Sequence, residues 1–503
     1  MPRRCDRRLD KRHSETSGTL NSADSTSTAA QDPFLVDNQL HENCARIKRT
    51  ALHWTSLSHR HGRHRVVESS MALNSRPDKP RRISRIQIVA VAILSLAGVV
   101  NYIDRGSLAI ANTTIRADLG ISATRMGALL SIFSLAYAIS QLPMGVILDR
   151  LSERKVLGAG IFLWSLTQTA TGFVRGFNSF VAARIGLAIG ESPFVVSAVK
   201  TVNDWFDVRD RATPMGIVNS ATTIGQAIAP PILTSAMLAF GWRGMFMLIG
   251  IPGLLLSVVW YVFYRDRKEV ALNDAERAYL EASGTRSQLS RLSLSQWLGL
   301  FRLRTMWGMM LGFGGINYTV WLYMSWMPNY LEAEHHVSVK ATGFLAIIPF
   351  SCGAVGMLLS GILADALVRR GVAPVKTHKI LLISGMTCSA MCTLLVPYLA
   401  GATSAAFGIG TALFFIYVAG NSGWGLIQSM APAGIMASAA SIQNFGSFVC
   451  ASAAPLLTGW LLDRTHSFHL TLAICSLVSV LGALSYLFLV KAPIVVSGLE
   501  AAE

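Results

Sequence analysis

Apolar residues in this chain gather into long windows separated by short polar breaks. Twelve windows stand out, near 86–112, 124–147, 156–174, 179–203, 213–237, 243–263, 304–331, 341–365, 378–398, 403–427, 434–461 and 468–490. A helix that crosses a bilayer needs about 20 predominantly apolar residues, so the pattern predicts twelve transmembrane helices. The polar stretch 264–303, with its segment RDRKEVALNDAERAYL, divides them six and six. The expected fold is therefore an all-α membrane protein of two pseudo-symmetric six-helix bundles, 86–263 and 304–491. A cytoplasmic central loop at 264–303, a basic, disordered tail at 1–85 and a short tail at 492–503 complete the expected layout.

The halves echo each other. GVILDRLSERK (145–155) follows the second helix and GILADALVRRG (361–371) follows the eighth. Both read glycine, three residues, aspartate, then basic residues: Gly145, Asp149, Arg150 and Arg154 in one, Gly361, Asp365 and Arg369 in the other. Such matched positions imply duplication. Glycine allows close helix approach, and the charges end each helix as a gating loop.

Composition agrees with a membrane setting. Only 14% of residues are charged, against 52% hydrophobic, where soluble domains average about 25% charged. The net charge of +16 suggests nucleic acid until its placement is read. About half lies before residue 86, and much of the rest falls in alternate loops, an arrangement that follows the positive-inside rule and places both termini in the cytoplasm. The expected location is a cell membrane, the inner membrane of a bacterium, with the lipid bilayer rather than nucleic acid as partner and a monomer as the working unit. Met71, opening a short basic lead-in to the first helix, reads as the natural start. The seven cysteines are scattered without zinc spacing, and no nucleotide loop or nucleophile motif is present. An enzyme, an ATP-driven pump, a metal site and a cofactor are therefore not expected.

The chemistry lies in a few charges inside the helices. NYIDRGSLAIAN, residues 101–112, places Asp104 and Arg105 within the first helix, at an insertion cost of ~2.5–3.5 kcal/mol each. The fourth helix carries Arg184 and Glu191. At 1.5 Å per residue, Asp104 and Arg184 fall at similar depth and can pair, while Glu191 shares a face with Arg184 about 10 Å deeper. Two arginines and two carboxylates sum to zero. An incoming organic anion adds one negative charge and a proton removes one, so anion and proton favour each other's binding. On the fifth helix, Asn219, Thr222 or Thr223 and Gln226 form a polar stripe suited either to ligand hydroxyls or to helix–helix hydrogen bonds, with Gln226 the favoured contact.

NYIDR, RIGLAIGES, NDWF followed by RDRA, GWRGMF and NYTVWLYMSWMPNYL occur in this order. Together with the repeated loop, they resemble the anion:cation symporters of the major facilitator superfamily over about residues 84–492. The resemblance implies protonation at Asp104 and Glu191, a substrate carboxylate held by Arg105, and Arg184 coupled to the acids. It also implies a cavity lined by Tyr102 and Tyr137, and a hydroxyl contact from Asn444. The function expected on both grounds is import of an organic anion with protons by alternating access. A sugar acid such as galactonate, glucarate or a hexuronate is the expected substrate. An aromatic or dicarboxylic acid, and a non-transporting sensor on the same fold, stand as alternatives.

Overall fold

The computed structural model describes residues 79–207, 210–282, 294–432, 435–491 and 494. Met71 and the tail before residue 79 lie outside them. Among the described residues there is helix and no strand. Among the same residues, nine helices are long and apolar enough to cross a membrane, and one of these, Thr213–Phe263, has 51 residues. At 1.5 Å per residue that is too long for a single crossing. Within it Gly241 takes φ 70°, a left-handed conformation that glycine adopts without steric cost, and the helix divides there into the fifth and sixth spans. Glu153–Thr171 and Arg304–His335, more polar in composition, supply the third and seventh. The total among the described residues is twelve.

The remaining spans, in chain order, are Arg81–Ile110, Ala123–Arg150, the paired Phe177–Glu191 and Pro193–Trp205, the paired Val339–Leu345 and Ile347–Arg369, Pro374–Leu395, Ala402–Met430, Met436–Thr465 and His469–Phe488. Caps set several starts. Ser122 and Ser152 accept backbone hydrogen bonds from Arg125 and Lys155, satisfying donors that the first helical turn leaves free. Large apolar side chains such as Leu96, Phe162, Leu255, Leu358 and Leu481 are exposed on the outer faces, as a bundle solvated by lipid requires.

Successive spans alternate in direction, so the bundle has two ends. Ile110 and Ala123 mark the distal end; Arg81, Arg150 and Arg304 mark the terminal end. The halves meet through the second and eleventh spans and through the fifth and eighth. At the distal end the join is tight. The Asp463 carboxylate accepts hydrogen bonds from Ala123 N (2.9 Å), Thr124 N (2.7 Å) and Thr124 Oγ1 (2.6 Å), facing the positive end of the second span. A methyl group on Gly459 would lie 2.2 Å from the Ala123 carbonyl oxygen, and one on Gly127 would lie 2.3 Å from that of Pro455. Only glycine fits at either contact. Thr113 Oγ1 donates to Glu332 of the seventh span at 2.8 Å.

The central segment contains a short helix, Asp274–Ala282, opened by a reciprocal cap between Asn273 and Glu276. Its Tyr279 and Leu280 are buried, and Arg82 at the base of the first span reaches Glu276 at 3.5 Å. The GWRGMF motif has a structural task beside the Gly241 bend. Trp242 Nε1 and Arg243 Nη1 both donate to Asp118 (3.2 and 2.6 Å), and these hydrogen bonds hold the Asp118 carboxyl below the usual carboxylate range.

Candidate functional site: a buried charge quartet between the halves

The fourth span breaks at Ser192 because Pro193 has no N–H to continue the helix. Glu191 is the last residue before the break. Gly190 lets the third span come close: a methyl group there would sit 2.5 Å from Trp164 N. The break and the close packing together fix Glu191 inside the bundle with no exposed surface.

Arg105 Nε donates to Glu191 Oε2 at 2.7 Å, and the Arg105 side chain is only 8% exposed. Its guanidinium lies 5.1, 5.5 and 4.9 Å from the rings of Tyr102, Phe133 and Tyr137. Such desolvated cation–π contacts contribute about 2 kcal/mol. Arg184 is buried with its guanidinium 5.1 Å from the ring of Phe133, the same ring that Arg105 approaches. Asp104 is fully buried and lies within electrostatic reach of Glu191 and Arg184. Neither of its carboxylate oxygens accepts a hydrogen bond from the described residues, nor do Arg184 Nε and Nη1 donate one.

The pairing differs from the one that depth counting predicts. Asp104 and Arg184 are electrostatic neighbours, and the direct ion pair is Arg105–Glu191. Depth along a helix ignores the reach of an arginine side chain, which here spans the gap to the fourth helix.

A polar chain continues from the quartet. Gln141 Nε2 donates to Tyr137 Oη at 2.9 Å, and Asn444 Nδ2 of the eleventh span donates to Gln141 Oε1 at 2.9 Å. Ser447 Oγ donates to the Asn444 carbonyl at 2.7 Å and accepts from Asn317 Nδ2 at 2.8 Å. Gln226 crosses the halves separately: Tyr417 Oη donates to its Oε1 at 2.9 Å. Tyr102, Gly106, Gln226 and Pro230 line a small cavity closed by Met324 and Phe350 from the second half. Trp321 of the seventh span packs on Phe133 and Phe448.

Asp104, Arg105, Tyr102, Tyr137, Arg184 and Glu191 thus come together, with Asn444 joined through Gln141 and Gln226 through the Tyr102 cavity. The repeated loop residues lie elsewhere, at the terminal end. Arg154 donates to the Tyr261 carbonyl (2.8 Å) and to Glu269 (3.2 Å), tying the loop to the sixth span and the central segment. Arg150, Asp365 and Arg369 are exposed. Gly361 has open space where a side chain would project, so close packing does not explain that glycine in this conformation. The surroundings of Gly145 and the side chain of Asp149 lie outside the described residues.

Three participants escape a reading centred on charges deep inside the helices. Phe133 and Gln141 flank Tyr137 at four-residue spacing, which puts all three on one helix face. Asp463 sits in Gly459-Trp-Leu-Leu-Asp463-Arg464, which repeats the spacing of Gly145, Asp149 and Arg150. Either pattern could have drawn attention to them.

Two helical bundles meeting around a buried charged centre define a multi-pass membrane transporter rather than an enzyme. Residues 94–455 match the family model of the Major Facilitator Superfamily, and the chain belongs to that superfamily. It is 52% identical over 413 residues to a probable L-galactonate transporter of Escherichia coli K12, covering 82% of this chain and 91% of that one. It is 30% identical over 412 residues to a hexuronate transporter of Bacillus subtilis 168, covering 81% and 96%. Among solved structures, a D-xylose–proton symporter superposes with a TM-score of 0.65 at 16% identity, covering 80% of this chain and 98% of that one. This last likeness bears on the fold alone.

Proposed function

We propose that this protein is a proton-coupled symporter that imports a sugar acid by alternating access. The observation that carries the reading is the caged Arg105–Glu191 pair backed by Asp104 and Arg184. The four charges balance, and Arg105 has only one carboxylate partner among the described residues. A substrate carboxylate competes with Glu191 for Arg105, and protonation of Glu191 releases the guanidinium to the substrate. Asp104, Tyr102, Tyr137, Gln226 and Asn444 keep the roles set out above, and Arg184 couples the two acids. The naming of relatives after L-galactonate and hexuronate supports a polyhydroxy monocarboxylate.

The test is uptake into proteoliposomes under an imposed pH gradient, with L-galactonate, D-galactonate, a hexuronate, D-glucarate, phthalate and tartrate compared. Acid-driven accumulation of a sugar acid is expected. No acid-driven uptake of any carboxylate would sink the symporter, and preference for phthalate or tartrate would move the substrate class.

With both termini in the cytoplasm, the distal end faces outward and Asp463 holds the outer side shut. Asp463→Ala removes the acceptor for three hydrogen bonds and should shift the population toward outward-open forms. A cysteine introduced at Thr113 should then react with an impermeant thiol reagent several-fold faster than in the Asp463 parent. An unchanged labelling rate would remove Asp463 from the gate.

A further inference from the structure

Gln141 is the one residue that joins the arginine cage to the second half through described side-chain hydrogen bonds. Its amide nitrogen is spent on Tyr137 and its amide oxygen on Asn444, both at 2.9 Å. An amide of this kind offers Asn444 and Tyr137 what a hydroxyl would offer, one donor and one acceptor. We propose that Gln141 is a built-in substitute for a ligand hydroxyl, and that substrate binds by displacing it from Asn444. The inference rests on the reading of Asn444 and Tyr137 as ligand contacts.

A specificity rule follows from the exchange. A hydroxylated acid replaces the Gln141–Asn444 hydrogen bond with one of its own, at little net cost. An acid without hydroxyls must break that bond and leave Asn444 unpaired, and sites built this way reject analogues that lack the polar group. Gln141 lies four residues, about 6 Å, beyond Tyr137, toward the terminal end of the second span. The hydroxyl that displaces it therefore belongs to the part of the acid remote from the carboxylate held at Arg105. Because Gln141 and Asn444 belong to different halves, the ligand takes over a bridge that already exists.

The sign of the expected effect is unusual. If Gln141 competes with substrate, removing its amide strengthens binding. Gln141→Met keeps the length and shape of the side chain without its hydrogen bonds, and Gln141→Leu serves as a second variant. Titration calorimetry of the purified protein with L-galactonate should show Kd falling roughly two- to tenfold in both, the range set by the net worth of one hydrogen bond. In an Asn444→Ala background the same substitutions should leave Kd unchanged, because the competition is gone. Hexanoate, a carboxylate without hydroxyls, should bind the Gln141 variants more tightly than the parent while remaining weaker than L-galactonate.

Equal or weaker L-galactonate binding by both Gln141 variants, beside weakened binding by Asn444→Ala, would overturn the competition and leave the transport reading standing. No binding of any sugar acid by the parent protein would overturn both.

Discussion

Glu191→Gln is expected to abolish accumulation driven by a pH gradient while preserving exchange of substrate across the membrane. Glutamine keeps the oxygen that accepts from Arg105 Nε at 2.7 Å, so the cage around Arg105 retains its form. What disappears is the acid whose protonation releases Arg105, one of the two assigned to the proton. Each coupled proton contributes about tenfold accumulation per pH unit, ~1.4 kcal/mol. With Asp104 alone left to titrate, no proton step is tied to Arg105, so the carrier still equilibrates substrate but no longer concentrates it. Proteoliposomes loaded with unlabelled substrate should take up labelled substrate by exchange at a rate near that of the parent. The same vesicles under an imposed gradient should reach only the outside concentration. Accumulation at the parent level would refute the role of Glu191.

Arg105→Ala acts on the substrate side of the same pair and carries a second penalty. A hydrogen bond to a charged group is worth ~1.5–3 kcal/mol, so the concentration for half-maximal transport should rise by roughly ten- to a hundredfold. The substitution also leaves Glu191, with no exposed surface, without its cation, and an uncompensated buried charge costs about 3–5 kcal/mol. Protein yield and thermal stability should fall together with affinity. Arg105→Lys separates the two effects. It restores a positive charge, and so most of the stability, but lacks the planar donor fork that grips a carboxylate. Stability near that of the parent with affinity still impaired is the expected result for lysine. Unchanged half-saturation in Arg105→Ala would take Arg105 out of the site.

The spans were legible because length and hydropathy are one-dimensional properties. The division of the spans six and six, the intramembrane charges and the gap between the windows 213–237 and 243–263 could all be approached from spacing alone, although the Gly241 bend within that gap is visible only as a dihedral angle. The partners of the charges were not legible. Whether Arg105 turns to Glu191 or to a ligand depends on side-chain reach and on the Ser192–Pro193 break, and periodicity encodes neither. Asn444 came from resemblance, whereas Gln141 needed only the step of one turn from Tyr137. Its bond to Asn444 joins residues 303 positions apart, a separation that no local pattern reports.

The distal clamp is unequal in what it asks of its two sides. Asp463 contributes a side chain, whereas two of its three hydrogen bonds come from main-chain N–H groups of Ala123 and Thr124. Every non-proline residue carries such a donor. Sequence drift at positions 123 and 124 can therefore alter side chains and keep two of the three hydrogen bonds, provided proline stays away. Drift at position 463 cannot. Under the proposed gate, the hydrogen bonds of the clamp are thus adjustable from position 463, while on the second span the constraint falls on Gly127, whose close contact with Pro455 admits no side chain.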